Sequence, residues 1–190
     1  MIFTVNLLLY LVDGGMKDEF FLVDFRVVYK NHDLILQSDI DKIIDLKNQH
    51  WLYSKESHLA WMQKNLMQND YHLWLEDNEG KMIAYMNHVA LVIDIDDRPE
   101  NMIGIGNVCV EINYKNKGIG GLLLKLSNYY INSLNSIGIL LCKDFLQPFY
   151  NKDGWINYNG DVWLLEEKYH HLVMTTRSMV GSRIKLNRKF

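Results

Sequence analysis

The segment from residue 108 to residue 123 constrains the fold more than any other part of the chain. It reads VCVEINYKNKGIGGLL, so an apolar strand runs through a polar, glycine-containing turn directly into a helix that Gly118 opens. The first backbone N–H groups of a helix have no partner within it, and glycine allows a ligand to approach them closely. With Lys115 and Lys117 adding positive charge, the segment predicts a site for a phosphate or pyrophosphate group.

Two well-known phosphate loops do not match this segment. The ATPase loop requires Lys and then Ser or Thr after its second glycine, and the dinucleotide loop requires a small residue where Leu123 stands. A glycine-containing turn without a ligand is the alternative. The glycines would then lose conformational entropy without any gain in packing, so ligand binding is the favoured interpretation.

Strand and helix patterns alternate on both sides of this segment. Apolar residues at helical spacing predict helices that begin near Ser38, Ser54 and Gly118. Alternating residues and acidic turns predict long antiparallel hairpins over residues 71–112, and residues 138–142 form the apolar run of a buried strand. The pattern is typical of a single α/β domain.

Composition narrows the class of protein. Lys and Arg number 20 against 23 Asp and Glu, so the 190-residue chain has a net charge of −3 and no general attraction for nucleic acid. Cys109 and Cys142 both lie in apolar runs, which is typical of buried thiols in a reducing compartment. We therefore predict no disulfide and a cytoplasmic protein.

We divide the chain into three parts. Residues 1–19 are an N-terminal extension, residues 20–180 are the globular domain, and residues 181–190 are a basic C-terminal tail. The charges of the tail predict a solvated segment, with binding of an anionic partner as the alternative.

The extension resembles neither a signal peptide nor a membrane span. Residues 1–12 are strongly apolar, but Asn6 interrupts them and neither a basic n-region nor a cleavage site accompanies them. Residues 13–15 predict a turn before Met16. Two interpretations stay open: Met16 is the natural start, or the first residues add a strand or helix to the domain.

Two motifs in this arrangement resemble the GCN5-related N-acetyltransferase (GNAT) family. The pyrophosphate loop of that family reads Arg/Gln-x-x-Gly-x-Gly/Ala after a strand, and residues 115–120 (KNKGIG) match it except that Lys115 replaces Arg or Gln. Further along the chain the family carries Tyr-x-x-x-Gly-Phe/Trp, which residues 150–155 (YNKDGW) match closely. The resemblance covers residues 29–174.

The resemblance implies a fold, a co-substrate and a reaction. The fold would be a mixed, mostly antiparallel sheet with helices on both faces and a splay between two central parallel strands, where Gly104 and Gly106 are consistent with a bulge. Acetyl-CoA would bind in the splay and give its acetyl group to a primary amine, and Tyr150 would protonate the departing sulfur; a core tyrosine is the alternative. The residues implied to bind acetyl-CoA are Val108, Cys109, Val110, Lys115, Asn116, Lys117, Gly118, Ile119, Gly120 and Gly121.

A narrower resemblance concerns the amine acceptor. Residues 140–144 (LLCKD) and 148–150 (PFY) are similar to the aminoglycoside 2′-N-acetyltransferase branch, which implies an aminoglycoside-like polyamine and a role in antibiotic resistance. Gly106 stands where that branch carries an acidic residue, and Lys143 where the wider family has a small polar one. Another small amine or a protein amine is the alternative acceptor, and a non-catalytic acyl-CoA sensor is the alternative class. We also consider a homodimer.

The sequence offers several candidates for the base that deprotonates the amine. Glu111 follows the acetyl-binding strand and is our first candidate, with a solvated side chain as the alternative. His72 and His88 lie on the hairpin, where hydrogen-bonded structural histidines are the alternative, and a water relay is a further possibility. Cys109 has no evident His or Lys partner to activate it as a nucleophile, and no residues have metal-ligand spacing, so we predict neither a covalent intermediate nor a metal.

Overall fold

A single mixed sheet organises the computed structural model, which describes residues 2–10 and 20–190, with side chains from Phe25 onward. The strands in these ranges are β1 (Ile2–Tyr10), β2 (Phe20–Asn31), β3 (Tyr71–Glu76), β4 (Met82–Ile95), β5 (Arg98–Val110), β6 (Ile137–Cys142), β7 (Ile156–Asn157), β8 (Asp161–Leu164), β9 (Glu167–Lys168), β10 (Leu172–Thr175) and β11 (Arg183–Leu186). Along its main path the strand order is β1-β2-β3-β4-β5-β6-β10-β7. Within the described residues the β5–β6 and β8–β11 pairs are parallel and the others antiparallel, which confirms the predicted mixed sheet.

Four α-helices accompany the sheet in the described part of the chain. They are α1 (Gln37–Asn48), α2 (Lys55–Asn65), α3 (Ile119–Ser133) and α4 (Gln147–Asn151). Ser54 caps α2, as predicted, because its hydroxyl accepts the amide of Ser57 at 3.2 Å. The start of α1 was predicted too late: the carboxylate of Asp39 accepts the amide of Leu36 at 3.0 Å and fixes the N-cap there. None of the described helices is long and apolar enough to cross a membrane.

The helices cover both faces of the sheet, as predicted. Alternate residues of β4 point to opposite faces, so Met86 packs with α3 and α4 whereas Tyr85 and Val89 pack on the side of α1 and α2. We call these the α3 face and the α1–α2 face.

The sheet opens between β5 and β6. These strands pair only where residues 102–104 meet residues 137–139. Beyond Gly104, β5 stays paired with β4 and β6 stays paired with β10, so the two strands separate. A bulge in β5 accompanies the opening, since two residues, Asn107 and Val108, lie opposite Met86, and Asn107 adopts a φ of 54°. The predicted splay is confirmed. A bulge is present, but it lies at Asn107 and Val108 rather than at Gly104 and Gly106.

Residues 181–190 are not the solvated tail that their charge predicted. They include β11, which pairs with β4 and β8 and buries Ile184 and Leu186. The basic residues alternate with these apolar ones, and Arg183 reaches Asp97 at 2.7 Å. Their charges therefore belong to the outer face of a strand whose inner face is core.

Phe190 lies in close contact with Gly104 and Gly106 of β5. A Cβ added at Gly104 would lie 2.7 Å from Cδ2 of Phe190, and one added at Gly106 would lie 2.5 Å from the carbonyl carbon of Phe190. Larger side chains at these positions would collide with residue 190. The two glycines therefore allow the last described residue to lie on the α1–α2 face, beside the splay.

At the other end, β1 pairs with β2 along its whole length. The predicted turn at residues 13–15 and the question of Met16 lie outside the described residues. The division into 1–19, 20–180 and 181–190 stays a prediction.

Candidate active site

The turn before α3 leaves the start of that helix open. Asn116 and Gly118 adopt left-handed conformations, with φ of 59° and 81°, and Gly118 is the N-cap. No side chain caps the helix, so its first amides have no partner from a capping side chain. Lys115 and Lys117 are exposed beside them. Open amides next to two lysines suit an anionic group.

The two motifs of the sequence meet at this turn. A Cβ at Gly120 would lie 3.1 Å from Cζ of Phe149, the residue before Tyr150, and one at Gly121 would lie 3.3 Å from a carboxylate oxygen of Asp153. The side chain of Ile119 is buried in the core. Residues 119–121 thus expose no side chain at this turn. Gly120 allows α4 to pack against α3, and Gly121 allows Asp153, which follows α4, to lie close to the same helix.

The backbone of β5 presents polar groups to the splay. The amide of Glu111 donates to the carbonyl of Ile83 at 2.8 Å and so points toward β4. Successive amides of a strand point to opposite edges, which directs the amide of Val110 into the splay and that of Cys109 toward β4. Burial raises the pKa of the Cys109 thiol to about 12, so this side chain stays a neutral thiol. Val108 lies within the bulge.

Tyr150 is buried on the α3 face. Its ring makes edge contacts with Phe149 and Trp155 at centroid distances of 5.0 and 6.4 Å. Burial raises its pKa, and the neighbouring Cys142 adds to this effect. The raised pKa keeps the hydroxyl protonated, and the hydroxyl forms no hydrogen bond within the described part of the chain.

Glu111 is not the solvated side chain of our alternative interpretation. It is buried, and both carboxylate oxygens are engaged: Oε2 accepts the amide of Asn113 at 2.8 Å, and Oε1 accepts from Lys81 Nζ at 3.2 Å and from Asn113 Nδ2 at 3.1 Å. It caps the 3₁₀ turn Ile112–Tyr114. The role of Glu111 as the base stays a prediction. Its contacts argue against that role, because both carboxylate oxygens already accept hydrogen bonds.

His72 and His88 are buried and hydrogen-bonded. His88 lies between the hydroxyls of Tyr29, at 3.0 Å, and Ser127, at 2.8 Å, while His72 lies between the hydroxyl of Tyr85 and the ring of His32. Burial lowers the pKa of each to about 3, so both rings are neutral. These contacts match the structural alternative.

The end of α1 lies against the end of β5, a contact that the sequence did not predict. Nε2 of His50 is 2.8 Å from the carbonyl oxygen of Val110, and the side-chain oxygen of Gln49 accepts the amide of Ile112 at 3.0 Å. One turn earlier, Lys47 is 4% exposed, with its ammonium 4.8 Å from the centroid of the Trp61 ring. One signal was available: Lys47 continues the apolar stripe of α1, seven residues after Ile40.

The described residues contain no group of three or more His, Cys, Asp or Glu side chains that could hold a metal ion. Both cysteines are free and buried.

Comparison with known proteins identifies the family. The family model described as the acetyltransferase (GNAT) domain matches residues 33–156. Among solved structures, an acyl-CoA N-acyltransferase from Pseudomonas aeruginosa is similar, with a TM-score of 0.60 and 16% identity over 82% of this chain and 99% of that one. Escherichia coli ElaA is similar too, with a TM-score of 0.59 and 17% identity over 82% of this chain and 100% of that one.

A third similar structure contains a ligand. The GNAT family N-acetyltransferase YhbS from Escherichia coli, solved in complex with CoA, has a TM-score of 0.61 and 14% identity over 84% of this chain and 89% of that one. At such identities the structures show a shared fold, whereas the family model covers most of the chain. The protein belongs to the acetyltransferase (GNAT) domain family.

Proposed function

We propose that the protein transfers the acetyl group of acetyl-CoA to the primary amine of a small molecule. The observation that carries this proposal is the opening between β5 and β6 beside the uncapped start of α3. An extended ligand with an anionic middle can place that part on the helix amides and its end on the strand edge. Family membership and the CoA bound in YhbS support the same ligand.

The residues fit acetyl-CoA in charge and in shape. The side chains of Lys115, Asn116 and Lys117 and the backbone from Gly118 to Gly121 would hold the pyrophosphate. The backbone from Val108 to Val110 would hold the pantetheine arm and the thioester carbonyl. When bound, acetyl-CoA supplies an activated acetyl group.

Tyr150 supplies the proton that the reaction needs. As the carbon–nitrogen bond forms and the carbon–sulfur bond breaks, Tyr150 donates its hydroxyl proton to sulfur and later regains one from solvent. The amide of Val110 stabilises the negative charge on the carbonyl oxygen. The proton of the attacking amine leaves through water, since the described histidines of the hairpin are tied into structural hydrogen bonds.

The acceptor is proposed as a small amine without commitment to a polycation. An aminoglycoside-like polyamine would need carboxylates, and the turn at residues 94–100 is the part of the chain that the sequence offered for them. There Asp96 accepts the amides of Ser182 and Arg183, and Asp97 pairs with Arg183 and Lys185. Asp94 and Glu100 of the same turn are exposed and form no ion pair within residues 25–190. The turn therefore keeps two available carboxylates, but the aminoglycoside-like acceptor itself comes from the resemblance of its branch. A cytoplasmic setting, where acetyl-CoA is made, fits the two free thiols.

Binding of acetyl-CoA tests the first half of the proposal. A ligand at 100 times its Kd adds about 2.7 kcal/mol of stability, which raises the Tm of a chain of this size by roughly 5–10 °C. The double substitution Lys115→Glu and Lys117→Glu should reduce the shift, because both residues are exposed beside the turn. Lys64→Glu, an exposed lysine of α2, is the matched control. Gly120→Asp is less informative because its side chain would also meet Phe149.

Release of free thiol in the presence of a panel of amines tests the second half. Acetyl-CoA-dependent turnover with at least one small amine is expected. No thermal shift at millimolar acetyl-CoA would refute the proposal, and a shift without turnover on any amine would favour the sensor.

A further inference from the structure

Lys47 is a buried lysine whose ammonium group keeps some contact with solvent and has no counter-ion in the described part of the chain. Its side chain is 4% exposed, and Nζ rests over the ring of Trp61. It forms no hydrogen bond and no ion pair with any residue from 25 to 190, the range in which side chains are described. The other buried charged side chains of that range, such as Asp70 and Glu76, do have partners.

A buried charge without a partner is costly. An ammonium that is mostly removed from water loses much of its hydration, and contact with one aromatic ring returns only part of that free energy. Burial lowers the pKa of Lys47 to about 8, so at neutral pH most molecules still carry the charge. The positive charge also lowers the pKa of the nearby His58 and His72. The cost is removed when an anion binds.

Lys47 lies near the end of β5, because its charge acts on the thiol of Cys109, and the acetyl group would lie at the same end of the strand. The last turn of α1 lies on the end of β5, where His50 contacts the carbonyl of Val110 and Leu46 packs in one core with Cys109. This is the α1–α2 face, opposite the start of α3 and Tyr150. Acetyl-CoA would fill the α3 side of the splay, so the acceptor approaches from the side of Lys47.

We propose that Lys47, held against Trp61, binds an anionic group of the acceptor, and that the acceptor is a small molecule with both a primary amine and a carboxylate, as in an amino acid. This inference rests on the proposed function and narrows its acceptor. It also disfavours polyamines, which Lys47 would repel. The loop after α1, with Leu52 and Tyr53 exposed, lies next to the proposed subsite.

The first experiment needs no substrate. Lys47→Met keeps the length of the side chain and its packing on Trp61 but removes the charge. If the ammonium is unpaired in the free protein, Lys47→Met should raise the Tm, because a methionine has no hydration to lose. Lys64→Met, at an exposed position of α2, should leave the Tm unchanged. A lower Tm for Lys47→Met would mean that the ammonium already has a stabilising partner, and would overturn the inference.

The second experiment compares acceptors that differ only in charge. Free amino acids and their C-terminal amides form one set of pairs, and phosphoethanolamine and ethanolamine form a pair that tests phosphate as the anion. The unmodified enzyme should prefer the amino acids by about 10- to 100-fold in kcat/KM, mainly through KM. Lys47→Met should abolish that preference, Lys47→Arg should keep part of it, and Lys64→Met should not change it.

The outcomes separate this inference from the proposed function. Turnover with equal rates on acids and amides, or a preference that survives Lys47→Met, overturns the anion subsite and leaves the acetyltransferase intact. A preference for phosphoethanolamine alone overturns the carboxylate. Absence of both acetyl-CoA binding and turnover refutes the proposed function, and the acceptor subsite with it.

Discussion

Two properties of Tyr150 are compatible with protonation of a leaving thiolate, the role that we propose for it. Burial raises its pKa, so the hydroxyl keeps its proton at any pH at which the enzyme works. The hydroxyl also forms no hydrogen bond within residues 25–190, so donating the proton breaks no structural contact. A core tyrosine with a hydrogen-bonded hydroxyl would lose such a contact.

We predict that Tyr150→Phe reduces kcat by about 10²–10⁴-fold and leaves the Kd of acetyl-CoA nearly unchanged. The ring and its packing stay, so the Tm should change little. Because its pKa is raised, ionisation of Tyr150 should not lower the rate of the unmodified enzyme up to about pH 10, where an ordinary tyrosine is half ionised. Unchanged turnover together with a lower Tm would make Tyr150 a core residue only. Rates, affinity and melting should be measured on one preparation.

Tyr150 could be proposed as a site residue from the sequence and Lys47 could not, for a physical reason. The motif of Tyr150 is contiguous in sequence, so its chemistry can be recognised before the chain folds. The surroundings of Lys47 and His50 form only when the end of α1 packs against β5, some 60 residues later in the chain. Their residue types at the end of a helix are equally typical of a solvated C-terminus.

At the scale of secondary-structure elements, His88 connects β4, β2 and α3 by hydrogen bonds. Its Nδ1 lies 3.0 Å from the hydroxyl of Tyr29 on β2, and its Nε2 lies 2.8 Å from the hydroxyl of Ser127 on α3, while the residue itself belongs to β4. Burial lowers its pKa from the ordinary 6.5 to about 3. A neutral ring can accept one of these hydrogen bonds and donate the other, which a protonated ring cannot.

We predict that acid destabilises the protein through this ring and that of His72. Between pH 6.5 and 3 the unfolded chain binds protons that the folded chain does not, so stability is full above pH 6.5 and falls as the pH decreases. His88→Gln should lower the free energy of unfolding at pH 7 and reduce its further loss between pH 7 and 4.5. Urea unfolding at several pH values measures both, with His171→Gln, at an exposed position, as control. If the free energy of unfolding of His88→Gln falls as steeply between pH 7 and 4.5 as that of the unmodified protein, other groups cause the effect.

The elements also show what the sequence could and could not predict. The splay and the bulge of β5 followed from a family resemblance, and the starts of α2 and α3 followed from Ser54 and Gly118. β11 was missed because alternating basic and apolar residues were interpreted by their charge alone. Its partners, β4 and β8, are brought together only by the tertiary fold.

At the scale of the whole molecule, residues 187–190 connect parts that are distant in sequence. After β11, Arg188 Nη2 lies 2.6 Å from the carboxylate of Asp70 and 2.6 Å from the carbonyl of Asn65, at the end of α2. Phe190 then covers Gly104 and Gly106 of β5, where the parallel pairing with β6 stops. This segment therefore fixes α2 relative to the splay on the face from which we propose that the acceptor approaches.

The ion pair of Arg188 and Asp70 makes this connection testable. Asp70 is 1% exposed and Arg188 14%, so Arg188→Met leaves a buried carboxylate without its partner and should cost about 3–5 kcal/mol of stability. Asp70→Asn in the same chain should recover part of this loss, because the asparagine oxygen can still accept one of the backbone amides, of Met67 or Ala90, that the aspartate accepts.

In the double variant, release of Phe190 from the glycines should change the KM of the acceptor but not the Kd of acetyl-CoA, which would bind on the opposite face. A stability loss in the double variant that equals the sum of the losses in Arg188→Met and in Asp70→Asn alone would show that the pair is not coupled. A weaker affinity for acetyl-CoA would show that the segment supports the splay as a whole.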